Sequence, residues 1–135
     1  METLFANASF FVAYHDSKDE NHQAAQALVR GFEGRPVLLV TTDYLFDEVI
    51  TVLLVRNNKH IAIQAGKAML EESNIEIVRI DEEIFNEAWE IFQSFRDKEW
   101  SFTDCTSYAV MKRLNIGTGI SFDKHFKQFG VRVIP

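Results

Sequence analysis

The sequence has little of several features that define large protein classes. Its 135 residues contain one cysteine, Cys105, so no disulfide can form within the chain, and a reducing compartment is expected. Only two prolines and six glycines are present, which excludes a collagen-like or low-complexity chain. No apolar run approaches the roughly 20 residues of a membrane span, and the first eleven residues carry no Lys or Arg. We therefore expect neither a membrane span nor a signal peptide.

Positive charge is also scarce. The 14 Lys plus Arg against 20 Asp plus Glu give a net charge of −6, which excludes a strongly basic nucleic-acid binder. The charge is uneven, because residues 1–95 hold 16 acids and 7 bases whereas residues 96–135 hold 4 and 7. Much of the acidic excess lies at 71–90, where a solvated outer face is expected. The composition thus argues only against non-specific binding to phosphates.

Apolar residues make up 47% of the chain, enough for one domain over residues 1–135 with a substantial core. Runs of strand length alternate with segments of helical period. The expected strands are 4–5, 37–41, 75–80, 119–122 and 131–134; the main helices are expected at 10–14, near 20–32, at 43–56, at 59–72, after the capping residue Asp81, and from the capping residue Thr103 to Leu114. The helix after Asp81 is expected to place Phe85, Trp89, Phe92 and Phe95 in the core, whereas Phe10 or Phe11 is a candidate for an exposed contact surface. This alternation predicts a three-layer α/β/α sandwich with a mostly parallel sheet of about five strands.

In such sheets, sites form at the carboxyl ends of the strands. Asn7, Asp43 and Asp123 each follow a predicted strand. Two further acids lie on predicted helices. Asp104 is most simply a first-turn acid behind Thr103. Glu48 lies in a helix that is apolar nearly all round, so burial is expected, and a buried acid needs a partner or a metal.

A simpler interpretation is that Glu48 lies at a solvated position on the helix surface, or forms a salt bridge to Arg56 or Lys59. If several carboxylates do converge at one sheet edge, they repel one another, and a hard divalent cation relieves the repulsion. Oxygen ligands select Mg²⁺ or Mn²⁺. Such an ion favours hydrolysis of a phosphodiester. The sequence contains no zinc spacing, phosphate-binding glycine loop or serine nucleophile elbow.

Four segments resemble the successive motifs of the PIN domain family, and the last is similar to the end of VapC-type toxins. They are Phe5–Phe11, Thr41–Glu48, Trp100–Cys105 and Ser121–Phe126. The resemblance spans nearly the whole chain. It implies a PIN-like fold and a metal-dependent endoribonuclease that uses Mg²⁺ or Mn²⁺, acting as the toxin of a type II toxin–antitoxin pair. RNA as substrate, a small antitoxin, a homodimer and a cytoplasmic location are implied in the same way.

The resemblance also implies the site. Glu48, Asp104 and Asp123 match three acidic positions of the family, and the fourth falls on Asn7. Asparagine keeps an oxygen that can bind a cation but loses the negative charge, so weaker metal binding is expected. Asn7 is either a natural divergence or an introduced inactivating change. Ser9 and Thr103 are candidates for orienting the metal ligands.

Basic residues near these motifs are candidates for RNA contact: Arg56, Lys59, Lys124 and Lys127. The alternative function is a degenerate PIN module that binds RNA or a protein without cleavage, which Asn7 favours. A phospho-accepting receiver is disfavoured because no acid pair follows the first strand. A haloacid-dehalogenase-type phosphatase is disfavoured because Asn7-Ala8-Ser9 lacks the required pair of aspartates.

Overall fold

A computed structural model describes all 135 residues. The five strands are β1 (Glu2–Ala6), β2 (Val37–Thr42), β3 (Ile75–Val78), β4 (Thr118–Ile120) and β5 (Arg132–Ile134). The six α-helices are α1 (Ala8–His15), α2 (His22–Arg30), α3 (Asp43–Arg56), α4 (Lys59–Glu71), α5 (Glu82–Ser94) and α6 (Phe102–Arg113). A 3₁₀ helix, Lys124–Phe129, precedes β5. None of the helices is long and apolar enough to span a membrane.

The strands form one parallel sheet in the order β3-β2-β1-β4-β5. The central strand β1 pairs with β2 on one side, where Leu4 lies opposite Leu39, and with β4 on the other, where Phe5 lies opposite Gly119. Helices cover both faces. The predicted three-layer sandwich is confirmed. Since the chain proceeds from β1 to β2 in one direction, and β4 lies in the other, the order reverses at β1, where open parallel sheets form their clefts.

Helix α1 is almost wholly buried. It packs against α2, α3 and α4, and the side chains of Phe10 and Phe11 are each only 2% exposed, with their rings 5.2 Å apart in an edge-to-face contact. The sequence-based expectation that one of these two residues forms an exposed contact surface is therefore wrong. A helix with neighbours on three sides has no solvent face for either ring.

Helix α3 buries one face only. Leu45, Val49 and Leu53 are fully buried, whereas Leu54 and Val55 are exposed. The prediction that this helix is buried all round is wrong, because α3 lies in the outer layer and packs mainly on α4 and α1. Glu48 is correspondingly exposed, so burial alone does not require a partner for its carboxylate.

Helix α5 likewise buries a narrower face than its composition predicts. Ile84, Ala88 and Ile91 are buried, but four aromatic side chains predicted to be core are 37–52% exposed: Phe85, Trp89, Phe92 and Phe95. The helix packs chiefly on α6, which covers these rings only in part: Phe85 contacts Phe102, and Phe95 contacts Trp100. We call these four residues the aromatic strip.

Candidate active site

The turn after β1 places Asn7 at the centre of the carboxyl edge of the sheet. Its backbone N–H donates to the carbonyl of Ile120 at the end of β4, at 2.9 Å. Its side chain is 6% exposed, and Nδ2 donates to Ser121 Oγ at 3.0 Å. The side-chain oxygen makes no hydrogen bond within the chain. Asn7 therefore offers a carbonyl oxygen, and no charge, at this position.

Ser121 links the turns after β1 and β4, and sequence reasoning gave it no role. Besides accepting from Asn7, Ser121 Oγ accepts from the backbone N–H of Asp123 at 2.9 Å and contacts Ser9 Oγ at 3.2 Å. Ser9 Oγ in turn accepts from the backbone N–H of Phe122 at 2.9 Å. Ser9 thus holds the segment that carries Asp123, and its role in orienting a metal ligand stays a prediction. The available signal for Ser121 was its place at the end of a predicted strand.

Asp123 and Asp104 each have one oxygen engaged in local structure. Asp123 Oδ1 accepts from the backbone N–H of His125 at 2.9 Å and so caps the 3₁₀ helix. Asp104 Oδ2 accepts from the backbone N–H of Ser101 at 3.0 Å, while Ser101 Oγ accepts from the backbone N–H of Asp104. This is a reciprocal capping box. The second oxygen of each aspartate makes no hydrogen bond within the chain.

The N-cap of α6 is therefore Ser101, and the prediction that Thr103 caps this helix is wrong. Ser101 is the N-cap because its hydroxyl lies one residue before the first helical turn, where it reaches the N–H of Asp104. Thr103 lies inside the first turn. It lines a shallow cavity with Asp43 and Asp47, and its hydroxyl makes no hydrogen bond to a candidate ligand.

An open cleft of about 310 Å³ brings three of the four candidate positions together. Asn7, Glu48 and Asp123 all line it, beside Ser9 and Arg56. Asp104 does not line the cleft, but it is close enough for its charge to act on Glu48. The loop between α1 and α2 also lines the cleft through Asp19, Glu20 and Asn21, which sequence reasoning did not assign to the site.

Desolvation, together with mutual repulsion, raises the pKa of two of the site's carboxyls. The pKa of Glu48 is raised, first by desolvation and then by the charges of Asp104, Asp123 and Asp47. The pKa of Asp104 is also raised by desolvation, and the hydrogen bonds from Ser101 oppose this shift. The site thus disfavours its own negative charge, as expected where carboxylates gather without a counter-ion.

These donors are oxygens only, and they suit a hard divalent cation such as Mg²⁺ or Mn²⁺ in their chemistry. In this structure, however, the side chains are too far apart to surround one ion. No group of three or more Asp, Glu, His or Cys side chains is disposed so that it could hold a metal ion. The three carboxylates would have to move closer to share one ion, and Asn7 could add only an uncharged oxygen to them.

The candidate RNA-contacting cations do not form one surface. Arg56 lines the cleft. Lys59 instead borders an apolar groove between α3 and α4, with Ile50 and Ile63. Lys124 and Lys127 are exposed on the 3₁₀ helix directly after Asp123.

A sequence model described as "PIN domain" matches residues 5–131 of this chain. The chain belongs to the PIN domain family. The resemblance seen in the four sequence motifs is therefore confirmed, and the cleft lies where β1 and β4 of this PIN domain end.

Curated relatives of this PIN domain include "23S rRNA-specific endonuclease VapC20" of Mycobacterium tuberculosis, 29% identical over 133 residues that cover 98% of each chain. The "VapC ribonuclease" of Archaeoglobus fulgidus is 28% identical over 122 residues, covering 89% of this chain and 76% of the relative.

Solved structures give the same picture. The crystal structure of M. tuberculosis VapC20, described as a "Sarcin-Ricin loop cleaving toxin", superposes with a TM-score of 0.87 at 26% identity over 95% of both chains. VapBC2 from Rickettsia felis, bound to a promoter DNA fragment, has a TM-score of 0.71 at 11% identity over 98% of this chain and 97% of that one, and this likeness shows the fold alone.

Proposed function

We propose that this protein is a metal-dependent endoribonuclease and the toxin of a toxin–antitoxin pair in the cytoplasm, with activity reduced by Asn7. The observation that carries the proposal is the convergence of Asn7, Glu48 and Asp123 on one cleft at the carboxyl edge of the sheet, with the charge of Asp104 beside them. Relatives over nearly the whole chain are named ribonucleases, which supports this activity.

In this proposal Asp104, Asp123 and Glu48 hold Mg²⁺ or Mn²⁺, and Asn7 contributes an uncharged oxygen. When bound, such an ion lowers the pKa of a bound water and offsets charge that develops on the phosphate. The chain itself fixes the ligands: Ser121 holds the Asn7 amide and the Asp123 backbone through hydrogen bonds of 2.9–3.0 Å. Glu48 makes no hydrogen bond within the chain and is free to turn toward the ion.

For the substrate, we propose the sarcin–ricin loop of 23S ribosomal RNA. The VapC20 toxin is named for this activity, and it matches this chain over 95–98% of its length in both sequence and structure. No residue of the cleft reads a particular base, so the support for this RNA comes from that likeness.

The experiment is an RNA cleavage assay on a sarcin–ricin stem-loop with Mn²⁺, comparing the unmodified chain with Asn7→Asp. The substitution restores a fourth charged ligand, so we expect faster cleavage. Asn7→Asp combined with Asp123→Asn is the matched control, since it has the new carboxyl but lacks another ligand, and it should be inactive. If Asn7→Asp binds Mn²⁺ more tightly and still leaves this RNA and total RNA intact, the nuclease proposal is wrong.

That last result is the one expected of the alternative, a degenerate PIN module that binds RNA or a protein without cutting. The asparagine at position 7 is the specific observation that favours this module, because it leaves the ligand set one negative charge short of the family pattern. Binding of the stem-loop without cleavage by Asn7→Asp would select this module over the enzyme.

The proposal includes two protein partners, a small antitoxin and a second copy of the chain. Several structural neighbours are toxin–antitoxin assemblies by their descriptions, among them "VapBC-1 from nontypeable Haemophilus influenzae". For the homodimer contact we assign the aromatic strip, in which the exposed Trp89 and Phe92 rings stack 5.8 Å apart. Light scattering should find a dimer that Trp89→Glu dissociates. A dimer unaffected by this change would place the contact elsewhere.

A further inference from the structure

The candidate cleft contains one cation among several carboxylates. Arg56, the last residue of α3, lines it together with Asp19, Glu20, Glu48 and Asp123. The Arg56 side chain is 61% exposed, so its guanidinium can exchange partners with an arriving ligand. An RNA strand brings a negative charge with each phosphate, and these carboxylates repel it. Arg56 is the group in the cleft that can offset that charge.

The Arg56 guanidinium faces Asp19 on the loop between α1 and α2. Arg56 Nη1 lies 3.8 Å from Asp19 Oδ2, which is ion-pair distance but too long for a hydrogen bond. Asp19 is held from the other side, because its Oδ1 accepts a hydrogen bond of 2.8 Å from the backbone N–H of Asn21. The carboxylate is thus fixed, while the donors of the guanidinium make no hydrogen bond within the chain.

A second contact joins the same two segments. Asp16 is 4% exposed, and its Oδ1 accepts from Asn57 Nδ2 and from the backbone N–H of Lys18, both at 3.0 Å. Asn57 is the residue at which α3 ends, directly after Arg56. This hydrogen bond anchors the end of the helix to the loop, so Arg56 extends into the cleft from a fixed backbone position.

Resting on the proposed function, we propose that Arg56 binds a phosphate of the RNA strand inside the cleft, and that Asp19 is a positioning residue that orients the guanidinium until RNA arrives. A guanidinium matches two phosphate oxygens at once, and a phosphate at hydrogen-bond distance competes well with a carboxylate held at 3.8 Å. Lys59, Lys124 and Lys127 do not line the cleft, so a phosphate within it meets Arg56 alone.

Fluorescence anisotropy in EDTA tests this without depending on cleavage. The probes are a fluorescein-labelled sarcin–ricin stem-loop RNA and a labelled oligouridine, each titrated over a series of salt concentrations. In Arg56→Gln we expect Kd to rise about tenfold and the slope of log Kd against log salt to fall by about 0.7 to 1. Arg56→Lys should keep the slope and recover only part of the affinity. Arg30→Gln, on the exposed end of α2, is the matched control and should change neither.

A slope in Arg56→Gln equal to that of the unmodified chain, with normal RNA binding by that chain, overturns this inference and leaves the proposed function standing. An unmodified chain that binds neither RNA also overturns this inference, whereas the proposed function is tested separately by the cleavage assay with Mn²⁺.

The role of Asp19 is tested by a double-mutant cycle in the same assay. Asp19→Asn removes a repulsive charge in any background, but it removes the orientation of Arg56 only where Arg56 is present. We therefore expect the effects of Asp19→Asn and Arg56→Gln to be non-additive by at least about threefold in Kd, as found for residues in direct contact. Additive effects would refute the positioning role.

Discussion

The clearest quantitative consequence of the site concerns Asn7→Asp and its dependence on metal. Asn7 is nearly buried and donates from Nδ2 to Ser121. The substitution replaces that donor with a carboxylate beside Glu48 and Asp123, in a cleft where desolvation and then repulsion already raise the pKa of Glu48. In EDTA the lost hydrogen bond and the added charge should lower the free energy of unfolding by about 1–3 kcal/mol at pH 7. For a chain of this size, the melting temperature falls by roughly 3–10 °C.

Divalent metal should offset part of this loss of stability. An ion that binds only the folded state stabilises it by about 2.7 kcal/mol at a hundred times its Kd. If the new carboxylate tightens Mn²⁺ binding tenfold, it adds about 1.4 kcal/mol, or some 4 °C, to the metal-induced rise in melting temperature. The variant should therefore be less stable than the unmodified chain in EDTA and gain more from Mn²⁺.

Differential scanning calorimetry in EDTA and over a series of Mn²⁺ concentrations measures both the loss of stability without metal and the rise in melting temperature with metal. Asn86→Asp, on the exposed surface of α5, is the matched control and should show neither effect. Equal Mn²⁺-induced shifts in Asn7→Asp and the unmodified chain would refute the reasoning, because the side chain at position 7 would then be no ligand.

Three further predictions concern stability and reactivity. Gly119→Ala should lower the free energy of unfolding by at least about 2 kcal/mol in urea denaturation, because an added Cβ would lie 2.1 Å from a ring carbon of the buried Phe126. If Gly119→Ala costs less than Gly117→Ala, where nothing lies within 4 Å of the added carbon, this packing account is wrong. Glu48→Gln should stabilise the metal-free protein at pH 7. Because the folded-state pKa of Glu48 is raised, the ionised form destabilises the fold, so the gain should vanish as pH falls below the ordinary carboxyl pKa of about 4.3. A gain that persists at low pH would show that charge is not the cause. Burial raises the pKa of Cys105 to about 11, so iodoacetamide at pH 8 should label the denatured chain only, and rapid labelling of the native protein would contradict this.

Local sequence signals predicted most of the fold correctly. The continuous apolar run at 37–41 became β2, and Asp81 caps α5 as expected, with its Oδ1 accepting from the backbone N–H of Ile84. Both signals act over a few residues, through strand burial and a cap hydrogen bond. They can therefore be recognised without knowing which distant residues pack against them. The start of α6 shows the limit, because Ser101 and Thr103 are both good caps and geometry chose the first.

Burial was less predictable than secondary structure. Phe10 and Phe11 were expected to include an exposed residue and are buried, whereas Phe85 and Trp89 were expected in the core and are exposed. The hydrophobicity of a side chain shows only that its burial would be favourable in free energy. Whether it is buried depends on how many elements pack around its helix, and that number is set by layer order in the sandwich.

The sequence by itself determined the strand–helix alternation, the PIN motifs and the presence of an amide where the family carries a fourth acid. The tertiary structure alone decided which of these residues meet. Asn7 and Asp123 are 116 positions apart, and they share one cleft because parallel pairing of β1 with β4 brings their ends together. The same packing selected Arg56 over Lys59, three residues later, as the cation of that cleft. The chemistry of each side chain follows from its residue type. The gathering of these side chains at one edge of the sheet depends on pairing between distant strands, which no short segment of sequence contains.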